Sequence, residues 1–104
     1  MMTRKVLPTM VICFVALAWA LPASAAERNY WRHTTGHFEN TRGNSWTERH
    51  GGETFHFSEM DRTPKYVELY DRSRDCTVRL FDGRCMVKFG DERFERYYDG
   101  GWSR

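Results

Sequence analysis

All four histidines of the chain, His33, His37, His50 and His56, fall between residues 33 and 56. Imidazoles gathered in this way are the side chains best suited to hold a metal ion or to move a proton near neutral pH. His33 and His37 have the spacing of two ligands on one helical face, but Thr34-Thr35-Gly36 between them is poor helix material. A hairpin turning at Gly51-Gly52 would set His50 on the face of Trp46 and Phe57 and His56 on the opposite face. Two ligands then converge only with help from the residues before Ser45. A metal-binding or small hydrolytic site drawn from the His33–His56 region is therefore an alternative reading, and solvated or packing histidines account for the same residues. The sequence implies no cofactor.

Cys76 and Cys85 are the next reactive candidates. Two cysteines in an oxidising compartment suggest one disulfide. Strand geometry opposes it. A two-residue turn at Asp82-Gly83 puts Cys85 across from Leu80, four residues along the strand from Cys76. At ~3.3 Å per residue that leaves more than ~13 Å between the Cα atoms, and a bridge tolerates ~7 Å. Buried, unbridged thiols are the expectation, and a wide loop carrying a disulfide is the alternative. The carboxylates are spread evenly, and Asp71, Asp75, Asp82, Asp91 and Asp99 stand where turns favour aspartate. No serine nucleophile elbow, phosphate-binding glycine loop or Cys-x-x-Cys pair is present.

The remaining chemistry is recognition by a surface. Tyr66, Tyr70, Arg79, Phe81 and Lys88 share the outer face of the predicted central strands with Glu68 and Met86. Tyrosine and arginine together are the favoured composition of protein interfaces, and rings flanked by charges also suit a sugar. Good strand formers, or a layer covered by other parts of the chain, explain the same residues structurally.

The elements that must position these side chains are short strands. From Ser45 onward, alternating segments are separated by turn residues, the pattern of an antiparallel all-β domain. The segments are Trp46–His50, Thr54–Glu59, Tyr66–Asp71, Thr77–Phe81, Arg84–Phe89 and Arg93–Tyr98. The Asp82-Gly83 turn pairs Leu80 with Cys85, Val78 with Val87 and Cys76 with Phe89, all on one face. A turn at Ser73-Arg74 pairs Leu69 with Val78 and Val67 with Leu80, and sets Glu68 beside Arg79 outside. Slipping either hairpin by one residue drives charges inward. The Gly51-Gly52 turn pairs Trp46 with Phe57 and Glu48 with Phe55. In the last segment Phe94 can face inward beside Phe89, but Arg96 would follow it, so a bulge or an edge position is expected. Six such strands predict a meander curled into a sheet or open barrel. Residues 26–44 show no clear period and read as an irregular arm preceding a β-meander domain at 45–104.

Residues 1–25 read as a cleaved signal peptide. Arg4 and Lys5 supply the positive start, an apolar run reaches Leu21, and Ala23-Ser24-Ala25 offers the cleavage residues. The unbroken apolar stretch from Met10 to Leu21 falls short of the ~20 residues that span a bilayer, so no stable membrane anchor is expected after cleavage. Removing Arg4 and Lys5 from 16 basic residues leaves 14 against 14 acidic ones. A neutral chain with interspersed signs argues against nucleic acid as a partner. The reading is a small exported module, periplasmic or extracellular, more binding or structural than enzymatic. Its expected partner is a protein or a glycan on the aromatic and charged sheet face. A small-ligand binder in the barrel mouth is a further alternative, needing a wider interior than six strands provide.

Overall fold

The computed structural model describes residues 28–103, and the expected signal peptide lies outside them. Eight antiparallel strands follow one another around a closed barrel in chain order. They are β1 (Tyr30–His33), β2 (Gly36–Arg42), β3 (Ser45–His50), β4 (Glu53–Arg62), β5 (Val67–Asp71), β6 (Cys76–Leu80), β7 (Arg84–Phe89) and β8 (Glu95–Trp102). Each pairs with its sequence neighbour, and β1 pairs with β8 to close the wall. Closure leaves no free sheet edge around the ring, which removes the exposed template for edge-to-edge association.

The central registers follow the alternation of the sequence. Val67 faces Leu80 and Leu69 faces Val78 across β5 and β6. Leu80 faces Cys85, Val78 faces Val87 and Cys76 faces Phe89 across β6 and β7. Trp46 lies opposite Phe57, and Glu48 opposite Phe55. The inward set forms one buried core: Trp31, Phe38, Trp46, Phe57, Val67, Leu69, Cys76, Val78, Leu80, Cys85 and Val87. Cys76 and Cys85 are separate buried thiols. The hairpin register holds them apart, each filling space as a small apolar side chain.

The arm expected at 26–44 is described from residue 28 onward, and that part is not irregular. Within this stretch Tyr30–His33 and Gly36–Arg42 are strands, raising the strand number from six to eight and closing what the sequence leaves open. Trp31, His33 and Phe38 point inward. One inward position of β1 is thus a histidine, which hides the apolar alternation. Glycine at 36 has a steric reason: a Cβ there would collide with the Arg49 carbonyl oxygen of β3. The end of the chain also differs. Phe94 precedes β8 and lies on the outside against Arg79 and Lys88. The expected bulge is present between β7 and β8, where the partners step from Cys85↔Tyr98 to Met86↔Arg96. This step turns Tyr98 into the barrel.

Candidate functional site

The two ends of the barrel are built differently. At the end where β1 begins, polar side chains lock the floor. The Trp31 indole donates to the Phe81 carbonyl at 2.7 Å, and the Trp46 indole to Glu59 Oε1 at 2.9 Å. Arg62 grips the same carboxylate with Nε and Nη2, both at 2.9 Å. Bidentate pairing of this kind fixes direction as well as charge, and the Arg62 fork also draws the Glu59 pKa below its ordinary value. Arg28 lies under this layer, buried, donating to the Thr63 carbonyl at 2.7 Å and standing 5.8 Å from the Trp102 ring.

The opposite end is a mouth. A cavity of about 220 Å³ opens there, walled by Phe38, Phe57, Val78, Val87 and Phe89 and rimmed by His50, Phe55, Arg74, Tyr97 and Tyr98, with Glu48 projecting into it. Eight strands enclose an interior that side chains fill or that one small ligand occupies. Here side chains fill the lower part and leave the upper part open.

Alternation along β3 carries Trp46, Glu48 and His50 to the inside. The first meets the floor, and the other two reach the mouth. Glu48 is 5% exposed, and its Oε2 has no hydrogen-bond partner. Tyr98 donates its hydroxyl to the same carboxyl group. Behind Glu48 stands His33, its side chain wholly buried, with Nε2 3.5 Å from Glu48 Oε2. The His33 ring is stacked on Tyr98 at 3.9 Å between centroids and lies 5.9 Å from the His50 ring. Burial, with smaller contributions from the His50 and His37 charges, lowers the His33 pKa to about 4. Burial raises the Glu48 pKa, and burial with the Glu48 charge raises that of Tyr98. Near neutral pH His33 and Tyr98 are therefore uncharged.

Arg74 covers one side of the mouth. The turn after β5 holds it there: Asp71 Oδ1 accepts from the Ser73 amide at 2.9 Å and the Ser73 hydroxyl at 2.7 Å, while Asp71 Oδ2 pairs with Arg74 Nε. The guanidinium carbon stands over the Phe55 ring, 4.0 Å from its centroid, and Nη2 is buried without a partner. Glu48 Oε2, His33 Nε2 and Arg74 Nη2 are thus buried without hydrogen-bond partners, and the Glu48 and Arg74 side chains both line one small cavity. Buried polar atoms are normally paired, and two of these three, His33 Nε2 and Glu48 Oε2, face each other at 3.5 Å.

The surface residues singled out in the sequence are only partly brought together. Tyr66, Arg79, Phe81 and Lys88 form one outer layer with Phe94. Arg79 is held between the Tyr66 and Phe94 rings at 4.6 and 4.5 Å and pairs with Glu68 at 2.8 Å. Phe81 packs on Tyr66 at 5.2 Å, and Lys88 stands 5.3 Å from Phe94. Tyr70 is set apart, donating to Asp75 at 2.8 Å. A larger groove of about 530 Å³ runs past Tyr70, Thr54, His56 and Ser58, yet none of its lining residues holds a buried unpartnered polar atom. Of the histidines, His33 and His50 meet because β1 delivers the first to the mouth, whereas His56 is exposed and His37 stacks on Tyr30. Among the described residues, no three His, Cys, Asp or Glu side chains converge as a metal site.

Sequence reasoning paired Glu48 with Phe55 but assigned it no role, named His33 only among four candidate metal or proton-transfer histidines, and missed Arg74 and Tyr98. An acidic residue on the apolar face of β3 was the available signal. The chain matches no protein-family model, no curated protein and no solved structure.

Proposed function

We propose that this protein is a small exported binding module that holds one compact ligand in the open mouth of its barrel. The observation that carries this reading is an open cavity of about 220 Å³ whose largely apolar and aromatic wall also carries the Glu48 carboxyl and the Arg74 guanidinium. A few well-placed polar groups in a concave apolar wall are the usual make-up of a small-molecule site. At ~30 Å³ for each liquid water, the cavity has room for about seven waters, or for a single-ring molecule. The thiols of Cys76 and Cys85 do not supply a nucleophile, since burial raises both pKa values.

Phenol is a suitable first probe, titrated into ¹⁵N-labelled protein. Saturable shifts confined to the neighbours of Phe55, Phe57, Phe89 and Tyr98 are expected. Val87→Phe, which fills the cavity, should abolish them while the variant still melts cooperatively. Shifts scattered over the surface, or unchanged in Val87→Phe, would refute the pocket.

A second reading places a protein or glycan on the outer face of Tyr66, Tyr70, Arg79, Phe81 and Lys88. The exposed hydroxyl-rich groove beside Tyr70 favours it. Loss of partner binding in Tyr70→Ala with unchanged stability is its test; loss of folding would sink it.

A further inference from the structure

The charges around the mouth restrict what the pocket, if it binds as proposed above, can accept. We propose that it selects an uncharged ligand whose polar head carries a hydrogen-bond donor beside an acceptor, as a primary amide or a lactam does. An anionic head drawn to Arg74 would have to lie against the Glu48 carboxyl and near Asp71, which already pairs with that arginine. A cationic head drawn to Glu48 would meet the Arg74 guanidinium on the facing rim. Either charge would also leave water for a wall of Phe38, Phe57, Val78 and Val87, at the cost of desolvation. A head with one N–H and one carbonyl uses both polar side chains of the cavity: the carbonyl accepts from the Arg74 guanidinium, and the N–H donates to the Glu48 carboxyl.

The rest of the cluster supports this arrangement. The Tyr98 hydroxyl donates to the Glu48 carboxyl, a group with acceptor capacity for more than one donor. The His33 ring behind Glu48 and the Asp71–Ser73–Arg74 turn hold both polar groups in place before binding, so little ordering remains to oppose association.

Three probes of one shape separate the head groups: benzamide, benzoate and benzylamine, titrated calorimetrically into the purified protein at pH 7. Benzamide is expected to bind at least about tenfold more tightly than either charged analogue, because a charged head leaves a buried polar group unpaired. Glu48→Gln, which keeps a donor and an acceptor, should retain that preference. Glu48→Leu should lose about tenfold in benzamide affinity. Arg74→Met is a second variant should Glu48→Leu fail to melt cooperatively, and it should lose a similar factor. Benzoate or benzylamine binding as tightly as benzamide would overturn the head-group assignment, as would unchanged benzamide affinity in Arg74→Met. Phenol binding without benzamide binding would overturn it too, while leaving the pocket in place. If none of the four probes binds, both proposals fall.

Discussion

Acid sensitivity carried by His33 is the sharpest quantitative consequence of the mouth cluster. The imidazole is buried between Tyr98, Phe38 and Glu48, with His50 on the same side. Its pKa falls from 6.5 to about 4 on folding. Between those values the unfolded chain binds a proton that the folded barrel refuses, so stability is full above pH 6.5 and is lost as pH falls through 4. At ~1.36 kcal/mol per pH unit the loss is about 2 kcal/mol at pH 5 and about 3 kcal/mol at pH 4. Glu48 acts in the opposite sense. Its raised pKa gives stability that is present below its ordinary value and lost as pH rises through the raised one, which offsets part of the histidine effect. Comparing the protein with His33→Phe cancels most of the Glu48 contribution, and phenylalanine keeps the stack on Tyr98. Urea unfolding at pH 7, 5.5, 5 and 4 measures the difference. The two stabilities should keep a constant difference at and above pH 7 and diverge on acidification, the histidine form losing about 2–3 kcal/mol more by pH 4. Parallel pH profiles for the two would refute the buried, neutral imidazole.

Three other outcomes can be checked independently. Burial raises the Cys76 pKa to about 11 and that of Cys85 further still, so neither should react with iodoacetamide at pH 8 until the protein unfolds, as peptide mass mapping would show. Gly100→Ala places a Cβ against the Arg32 carbonyl oxygen and 2.7 Å from the Trp31 ring. The β1–β8 seam must then shift, and denaturant melts should show a loss of about 3 kcal/mol or more. Arg79→Ala removes a half-exposed ion pair with Glu68 and two ring contacts. Because solvent screens such pairs, about 1 kcal/mol is the expected loss, and thermal melts at low and high salt would show its small electrostatic share.

Legibility from sequence varied along the chain for identifiable reasons. Strands β5, β6 and β7 were readable in register because Val67, Leu69, Val78, Leu80 and Val87 alternate with polar residues and the turns are short. A one-residue slip there would bury Arg79 or Lys88, and that penalty is visible in one dimension. Strands β1 and β2 were not readable. Their inward residues are Trp31, His33 and Phe38, and the histidine interrupts the apolar series at the mouth. Polar residues turned inward are what a binding site requires, so the signal was weakest where the proposed site lies.

The sequence alone therefore determined the class of fold, the central registers and the separation of Cys76 from Cys85, since each depends on neighbours joined by short turns. Its export signal remains a reading of residues 1–25. Tertiary structure alone decided that the sheet closes, because pairing of β1 with β8 joins segments some seventy residues apart in the chain, and local pattern holds no record of that contact. The same closure gathered His33, Glu48, Arg74 and Tyr98 from four separate stretches. The histidines that first suggested chemistry were thereby divided. Two line or back a pocket, and two face outward.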